Sequence, residues 1–225
     1  MEHKRRIRSY VLRAGRMTDG QARAWQDLFP RYGVEFTQGP LDLDAIFGRQ
    51  APRVLEIGFG SGEVIGQLAK DNPQTDYLGI EVHRPGVGRL LQYCAAENLG
   101  NLRIICHDAV EVLEHGIGDA ALDEILVFFP DPWHKKRHHK RRLVNPGFMA
   151  LVAQRLRPGG IIRLATDWQD YALQMLDSGN TCPTLASLSP DGGFVEHYQG
   201  RSSTRFEQRG ARLGHGIRDL AYRRR

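Results

Sequence analysis

Between residues 53 and 177, apolar runs of strand length alternate with stretches of helical length. The runs are mostly continuous and apolar, not alternating, which is typical of strands that are covered by helices on both faces. A repeated strand–helix order predicts a doubly wound parallel sheet. We therefore expect an α/β fold with a Rossmann-like, mostly parallel sheet of up to seven strands, five of them in this span.

The individual elements can be assigned from the same pattern. The predicted strands are 53–57, 77–82, 101–106, 124–129 and 161–165, and the predicted helices are 63–71, 85–99, 111–115, 146–156 and 167–177. Residues 178–193, rich in Ser, Pro, Gly, Asp and Asn, are predicted to form a loop. Residues 1–35 are polar and basic and are predicted to form an N-terminal arm with a short helix near 21–28. Residues 36–225 are predicted to form one domain.

A glycine-rich turn follows the first predicted strand, in the order Glu56-Ile57-Gly58-Phe59-Gly60-Ser61-Gly62. Glycines allow the backbone to approach a ligand closely, and the next helix begins with unpaired N–H groups. This turn predicts a small-molecule site. It does not identify the ligand, because nicotinamide enzymes use nearly the same turn.

Four acidic residues stand at or beside the ends of successive predicted strands: Glu56, Glu81, Asp108 and Asp131. Ligands of open α/β sheets bind outside the carboxyl ends of the strands, so these side chains should line one crevice. Glu56 would repel a pyrophosphate but suits a cofactor that carries an ammonium and a sulfonium. Glu81 is placed where a carboxylate can bind ribose hydroxyls.

The net charge of +5 is distributed unevenly. Residues 1–16, 134–142 and 201–225 carry six, six and eight Lys or Arg, while the rest of the chain is acidic. Such basic segments on an acidic body favour a polyanion partner. The run 134–142 follows Asp131 and its two flanking prolines at once, which indicates a phosphate-binding loop beside the crevice. Trp133 either stacks on a base or belongs to the core.

Residues 129–142, Phe-Pro-Asp-Pro-Trp-His-Lys-Lys-Arg-His-His-Lys-Arg-Arg, closely resemble the tRNA (guanine-N7)-methyltransferase family of class I methyltransferases. Residues 8–16, Thr166-Asp167 and residues 204–215 resemble it too, so the likeness covers nearly the whole chain. One departure is Ser202, where the family usually has proline. The resemblance implies methyl transfer from S-adenosylmethionine to N7 of a guanine in the tRNA variable loop.

The resemblance also implies roles for individual residues. The cofactor-binding set comprises Glu56, Gly58, Gly60, Gly62, Glu81, Asp108 and Asp131, and Asp131 is the catalytic residue. The substrate-binding set comprises Lys135, Arg137, His138, His139, Lys140, Arg141, Arg142, Asp167, Thr204, Arg205, Phe206 and Glu207. Whether Asp131, Asp167 or Glu207 contacts the guanine edge is left open. No metal is expected at His134, His138 and His139, since they lack suitable partner ligands nearby.

Three other functions compete with this reading. A nicotinamide-dependent oxidoreductase is disfavoured by Glu56 and by the basic run. An RNA methyltransferase with another target atom and a catalytically silent RNA-binding module stay open as alternatives. The three cysteines are widely spaced, and no apolar run approaches membrane-spanning length. We expect a cytoplasmic protein, monomer or homodimer, that binds tRNA and neither DNA nor a membrane.

Overall fold

The alternating elements form one seven-stranded sheet in the computed structural model, which describes residues 8–11, 15–201 and 216–225. The strands are β1 (Arg53–Ile57), β2 (Asp76–Ile80), β3 (Leu102–Ile105), β4 (Leu122–Phe128), β5 (Leu156–Thr166), β6 (Leu185–Ser187) and β7 (Arg218–Arg224). Their order is β3-β2-β1-β4-β5-β7-β6. Strands β1 to β5 pair in parallel, and β7 lies antiparallel between β5 and β6. The predicted Rossmann-like, mostly parallel sheet is confirmed.

Helices cover both faces of the sheet, which explains why the inner strands are mostly continuous apolar runs. The helices are α1 (Asp19–Tyr32), α2 (Leu43–Phe47), α3 (Glu63–Asp71), α4 (Arg84–Ala96), α5 (Ala109–His115), α6 (Pro146–Arg155) and α7 (Gln169–Asn180). Buried side chains of α1, α3 and α4 form one core cluster with the sheet, and those of α5, α6 and α7 form another. In β1, Val54 belongs to the first cluster, while Leu55 and Ile57 belong to the second.

Helix α1 lies within the segment predicted as an arm and is longer than the predicted helix near 21–28. A capping box fixes its start: the Thr18 hydroxyl accepts from the Gln21 backbone, and the Gln21 side chain accepts from the Thr18 backbone. The helix buries Ala24, Phe29 and Tyr32 and packs along α4. Residues 19–32 therefore contribute to the core, and the domain boundary at residue 35 stays a prediction.

Three other differences from the prediction are an earlier start of one strand, an additional short strand and an additional short helix. Strand β5 begins at Leu156 and continues through Pro158-Gly159-Gly160, where a gap before residue 161 was expected. The predicted loop 178–193 contains the three-residue strand β6, which pairs with β7. The short helix α2 was not predicted. Within the described residues, no helix is both long and apolar enough to cross a membrane.

Candidate functional site

The glycine-rich turn connects β1 to α3 at the carboxyl edge of the sheet. Gly58, Gly60 and Gly62 all have positive φ angles, of 73°, 59° and 78°. Residues that carry a side chain rarely adopt positive φ angles, so the turn depends on glycine. The Gly58 N–H donates to the carbonyl of Ile80 at 2.8 Å, which ties the turn to the neighbouring strand β2.

A cavity of about 480 Å³ opens beside this turn, a size suited to a small-molecule ligand. It is lined from the carboxyl ends of β1, β2 and β4 and from residues 9–11 of the N-terminal segment. Of the residues assigned to a cofactor, the lining includes Glu56, Gly58, Gly60, Glu81 and Asp131. The predicted crevice therefore exists, and it brings together the acids that follow β1, β2 and β4.

Glu56 is a buried carboxylic acid in the wall of this cavity, with only 4% of its surface exposed. Burial raises its pKa from an ordinary value of 4.5 to about 8, against a lowering by the backbone N–H of Ile65 and a further rise from Glu81. Its Oε2 atom has no hydrogen-bond partner among the residues that the structure describes. A buried oxygen without a partner costs free energy, so the site favours a ligand that brings a hydrogen-bond donor or a positive charge.

The Glu81 carboxylate shapes the glycine turn from the neighbouring strand. Its Oε2 accepts from the Gly60 N–H at 2.9 Å. Its Oε1 accepts from the N–H groups of Val82 and His83 at 2.7 and 2.9 Å. These bonds fix the orientation of the carboxylate in the cavity wall. Oε2, which accepts one bond, keeps lone-pair capacity for a ligand hydroxyl, as the predicted ribose contact requires.

Asp108 is placed differently from the other acids. Its carboxylate caps α5 by accepting from the N–H of Val110 at 2.8 Å, and it does not line the cavity, although His107 and Ala109 do. Burial and then the Asp108 charge raise the pKa of Tyr10, whose side chain lines the cavity. The structure thus assigns Asp108 a helix-capping role, and its contact with the cofactor stays a prediction.

Asp131 lies on a rigid corner after β4. The Phe129 N–H donates to the carbonyl of Ala165 at 2.8 Å and extends the pairing of β4 with β5. Phe129 and Trp133 have φ angles of 52° and 47°, values that residues other than glycine rarely adopt. The backbone conformations of Phe129 and Trp133, together with the two flanking prolines, place the exposed Asp131 at the cavity.

The basic turn, residues 134–142, follows this corner and contains a 3₁₀ helix at Lys136–Arg141. Lys135, Arg137 and Lys140 are exposed, and His138, His139 and Arg141 are partly exposed. Desolvation and then the charge of Arg137 lower the pKa of His138, which favours a neutral imidazole at neutral pH. Most of the turn is therefore accessible to a polyanion, as the sequence predicted.

Arg142 is the exception within the basic turn, and its predicted contact with RNA does not fit the structure. Only 1% of its side chain is exposed. Its guanidinium donates to the carbonyl of Pro132 and to the side chains of Gln174 and Asp170. A side chain enclosed in this way is not available to a phosphate.

Trp133 connects the basic turn to the N-terminal segment, a role that the sequence did not indicate. Its indole N–H donates to the carbonyl of Ser9 at 2.9 Å, and Arg141 lies over its ring at 5.0 Å. Ser9, Tyr10 and Val11 line the cavity. These three were quoted for the family resemblance without a role, and only the tertiary contact with Trp133 shows their position.

The remaining predicted residues follow β5. Asp167 stands directly after Thr166, the last residue of β5, which pairs with β4. It is partly buried and comes just before α7. The two acids Asp131 and Asp167 therefore follow adjacent strands. Thr204, Arg205, Phe206 and Glu207 lie outside the described residues. No set of three His, Cys, Asp or Glu side chains within 8–11, 15–201 and 216–225 is arranged to hold a metal ion.

Gly86, in the first turn of α4, packs directly against the glycine turn. A Cβ at this position would overlap the carbonyl oxygen of Gly60. We expect Gly86→Ala to displace the turn, to lower stability by about 1–3 kcal/mol as overpacking does, and to weaken cofactor binding. Thermal unfolding and equilibrium dialysis with labelled cofactor measure the two effects.

Gly118→Ala is the control, because a Cβ at Gly118 meets no atom within 4 Å. It should change neither the unfolding temperature nor cofactor binding appreciably. Wild-type cofactor binding in the Gly86→Ala protein would show that the close packing of α4 on the turn is not needed for the site.

Comparison with known proteins finds relatives that align along nearly the whole chain. A family model described as "Putative methyltransferase" matches residues 50–220. A tRNA (guanine-N(7)-)-methyltransferase of Methylococcus capsulatus is 54% identical over 220 residues, which cover 98% of this chain and 95% of the relative. The protein of the same name from Pseudomonas aeruginosa is 51% identical over 220 residues, which cover 98% of this chain and 90% of the relative.

Solved structures share the fold at much lower identity. The 16S rRNA methyltransferase KamB aligns with a TM-score of 0.58 and 15% identity, covering 81% of this chain and 92% of its own. TrmN from Thermus thermophilus aligns with a TM-score of 0.53 and 18% identity, covering 81% of this chain and 47% of its own. The family follows from the full-length relatives: the chain belongs to the tRNA (guanine-N(7)-)-methyltransferase family.

Proposed function

We propose that this chain transfers a methyl group from S-adenosylmethionine to N7 of a guanine in the variable loop of tRNA. The position of Asp131 carries the proposal, because this exposed carboxylate lines the cavity and directly precedes the basic turn. One corner thus adjoins both a small-molecule site and a surface suited to a polyanion. The full-length relatives named tRNA (guanine-N(7)-)-methyltransferase support the same reaction.

The cavity fits S-adenosylmethionine in its chemistry. Glu56 offers a buried oxygen that has no hydrogen-bond partner in the described part of the chain, which suits the ammonium of the methionine portion. The carboxylate of Glu81 is oriented to accept from ribose hydroxyls, and the turn at Gly58 and Gly60 lets the ligand approach the backbone. A cofactor with pyrophosphate would place negative charge near two carboxylates, which disfavours a dinucleotide.

Methyl transfer to guanine N7 requires little from the protein beyond positioning and electrostatic stabilisation. S-adenosylmethionine supplies, when bound, a methyl group that is activated by a positive sulfonium. Guanine N7 has a lone pair and no proton, so no side chain has to act as a general base there. Methylation leaves positive charge on the purine, which a fixed carboxylate at Asp131 would stabilise. Asp131, Asp167 and Glu207 are the candidates for accepting from the guanine N1–H and N2–H groups.

The reaction leaves a chemical mark that tests the proposal directly. Unmodified tRNA transcript, the protein and methyl-labelled S-adenosylmethionine are incubated. The tRNA is then reduced with borohydride and treated with aniline, which cleaves the chain where N7-methylguanine was reduced. A single cut in the variable loop is expected. Label transfer without a cut would move the target to another atom of RNA. Bound tRNA without transfer would instead favour a catalytically silent RNA-binding module.

The exposed cations of the basic turn should contribute to tRNA binding through counterion release. Lys135, Arg137 and Lys140 are exposed, and no carboxylate among the described residues pairs with them within 4.0 Å. We expect the combined change of all three to Gln to weaken tRNA binding and to reduce the slope of log K against log salt by roughly two to three. Filter binding at several salt concentrations measures that slope.

A matched variant removes three cations from the opposite end of the sheet. Lys70, Arg157 and Arg223 are also exposed, and changing them to Gln alters the net charge equally, although it also breaks the surface ion pairs of Lys70 with Glu97 and of Arg157 with Asp123. Their loss should leave the salt slope at its wild-type value. Equal slopes for the two triple variants would mean that the basic turn does not contact phosphates.

A further inference from the structure

The Arg142 guanidinium joins three separate parts of the chain. Its Nε donates to the Pro132 carbonyl at 2.9 Å, on the corner that carries Asp131. One terminal nitrogen donates to Gln174 Oε1 at 2.8 Å. The other donates to Asp170 Oδ2 at 2.6 Å and lies 3.1 Å from His139 Nε2. Every nitrogen of this side chain therefore has a partner within the protein.

Burying the Arg142 guanidinium costs free energy, so its burial indicates that it has a structural role. A charged group leaves water only when its hydrogen bonds and its charge are satisfied. The Asp170 side chain is 61% exposed, whereas that of Arg142 is 1% exposed, so one partly hydrated carboxylate balances an enclosed cation. Tyr171 adds its ring, whose centroid lies 4.9 Å from the guanidinium carbon. The planar fork of arginine is required here, because an ammonium donates from a single atom and cannot reach three partners that are placed around a planar group.

The partners of Arg142 determine what it positions. Pro132 is bonded to Asp131, the carboxylate that lines the cavity. Asp170 and Gln174 lie on α7, which follows Asp167 closely. The two segments that carry the candidate carboxylates are therefore held together through one side chain.

Neighbouring hydrogen bonds strengthen the same junction. The Gln174 amide donates to the carbonyl of Val144 at 3.0 Å. The Val144 N–H donates to the Tyr171 hydroxyl at 2.9 Å. The loop after β4 is thus attached to α7 at Val144 as well, two residues after Arg142, so these bonds and those of Arg142 together fix the loop against α7.

We propose that Arg142 is a positioning residue that fixes the Asp131 corner and the basic turn against α7, and that it makes no contact with RNA. This inference rests on the proposed function, since its effect is read in methyl transfer. Displacing a reacting group by about 1 Å costs roughly 100-fold in rate, so loss of the fork should act mainly on kcat. Binding of tRNA should keep its salt dependence, because no phosphate contact is removed.

Arg142→Lys tests the proposal, because lysine keeps the charge but not the fork. We expect kcat at saturating tRNA to fall roughly 10- to 100-fold. The KM for tRNA should stay within about twofold of the wild type, and the salt slope of binding should not change. A lysine that served as a phosphate ligand would keep kcat near the wild-type value, and that result would overturn the proposal.

Arg155→Lys is the matched control for a merely structural loss. Arg155 is 12% exposed and also donates from three nitrogens, to the carbonyls of Leu113 and Glu114 and to Asp119, away from the cavity. It should lower the unfolding temperature without changing kcat at 25 °C. A loss of kcat in both variants, in proportion to their unfolding temperatures, would reduce Arg142 to a structural role and contradict the proposal.

Asp170→Asn keeps the inference testable should Arg142→Lys fail to fold. It removes one charge from an exposed acceptor and leaves Arg142 in place. A smaller fall in kcat, with an unchanged salt slope, is expected; wild-type kcat would overturn the proposal. The wild-type protein is assayed in parallel by aniline scission. Absence of scission there would refute the proposed function itself, whereas scission with unaffected variants would refute only the role of Arg142.

Discussion

Replacing Asp131 with Asn should reduce single-turnover methyl transfer by roughly 100- to 1,000-fold, the range seen when one preorganised charge-stabilising group is removed. The substitution preserves shape, removes the charge and replaces one acceptor oxygen with an amide donor. Asp131 is exposed at the cavity and is held between two prolines, so the corner should keep its conformation. Rapid-quench assays at saturating tRNA and cofactor measure the rate.

Affinity for tRNA should change little in the same variant, because the cations of the basic turn are intact. Filter binding at one fixed salt concentration provides this second measurement. Asp27→Asn is the matched control: it removes one negative charge from an exposed position on α1, away from the cavity. A large loss of tRNA affinity with an unaltered rate in Asp131→Asn would assign the residue to binding and not to catalysis.

The parts of the fold that follow from local pattern were predicted well. Strand β1 and helix α3 have the predicted bounds, 53–57 and 63–71. Strand β1 ends at a glycine turn, and the apolar face of α3, with Val64, Ile65 and Leu68, ends before the polar Lys70 and Asp71, so the sequence marks their ends. The mostly continuous apolar character of β1 also agrees with its place inside the sheet, between β2 and β4, where helices cover both faces.

Elements that depend on pairing with distant residues could not be predicted. Strand β6 has three residues in a segment rich in turn formers, and it forms because β7 pairs with it. Strand β5 passes through Pro158-Gly159-Gly160, which by itself indicates a break between elements. Both cases need contacts with residues that a local window does not contain.

In the candidate site too, residues that follow from local pattern were predicted, and residues that depend on distant contacts were not. Glu56, Glu81 and Asp131 were placed correctly at one cavity, because the carboxyl ends of parallel strands share one edge of the sheet. The burial of Arg142 was missed, since its partners on α7 are 28 and 32 residues away and a run of cations looks uniformly solvated. The cap formed by Asp108 is a local interaction, and a carboxylate before a helix could have indicated it.

Glu56 should make cofactor binding release a proton. Its pKa of about 8 in the free protein means that the carboxyl is mostly protonated at pH 7. An ammonium bound against it favours the ionised form, so binding at pH 7 should release close to one proton. Affinity should also rise between pH 6 and 7.5. Calorimetry in buffers of different ionisation enthalpy counts the protons, and in Glu56→Gln the count should fall to about zero, with affinity reduced roughly 10- to 100-fold.

The same raised pKa determines how stability depends on pH. Between pH 4.5 and about 8, the folded protein holds a proton on Glu56 that the unfolded chain has lost. Raising the pH through this window therefore destabilises the free protein, by about 1.4 kcal/mol for each pKa unit of the shift. Glu56→Gln should flatten this slope and unfold at a higher temperature than the wild type at pH 8.

Glu97→Gln provides the comparison for both measurements. Glu97 forms a surface ion pair with Lys70, away from the cavity, so its loss should leave proton release and the pH slope as in the wild type. Proton release that persists in Glu56→Gln would place the titrating group elsewhere. An unchanged pH slope of stability in that variant would show that Glu56 is already ionised in the free protein, and cofactor binding would then release no proton through this residue.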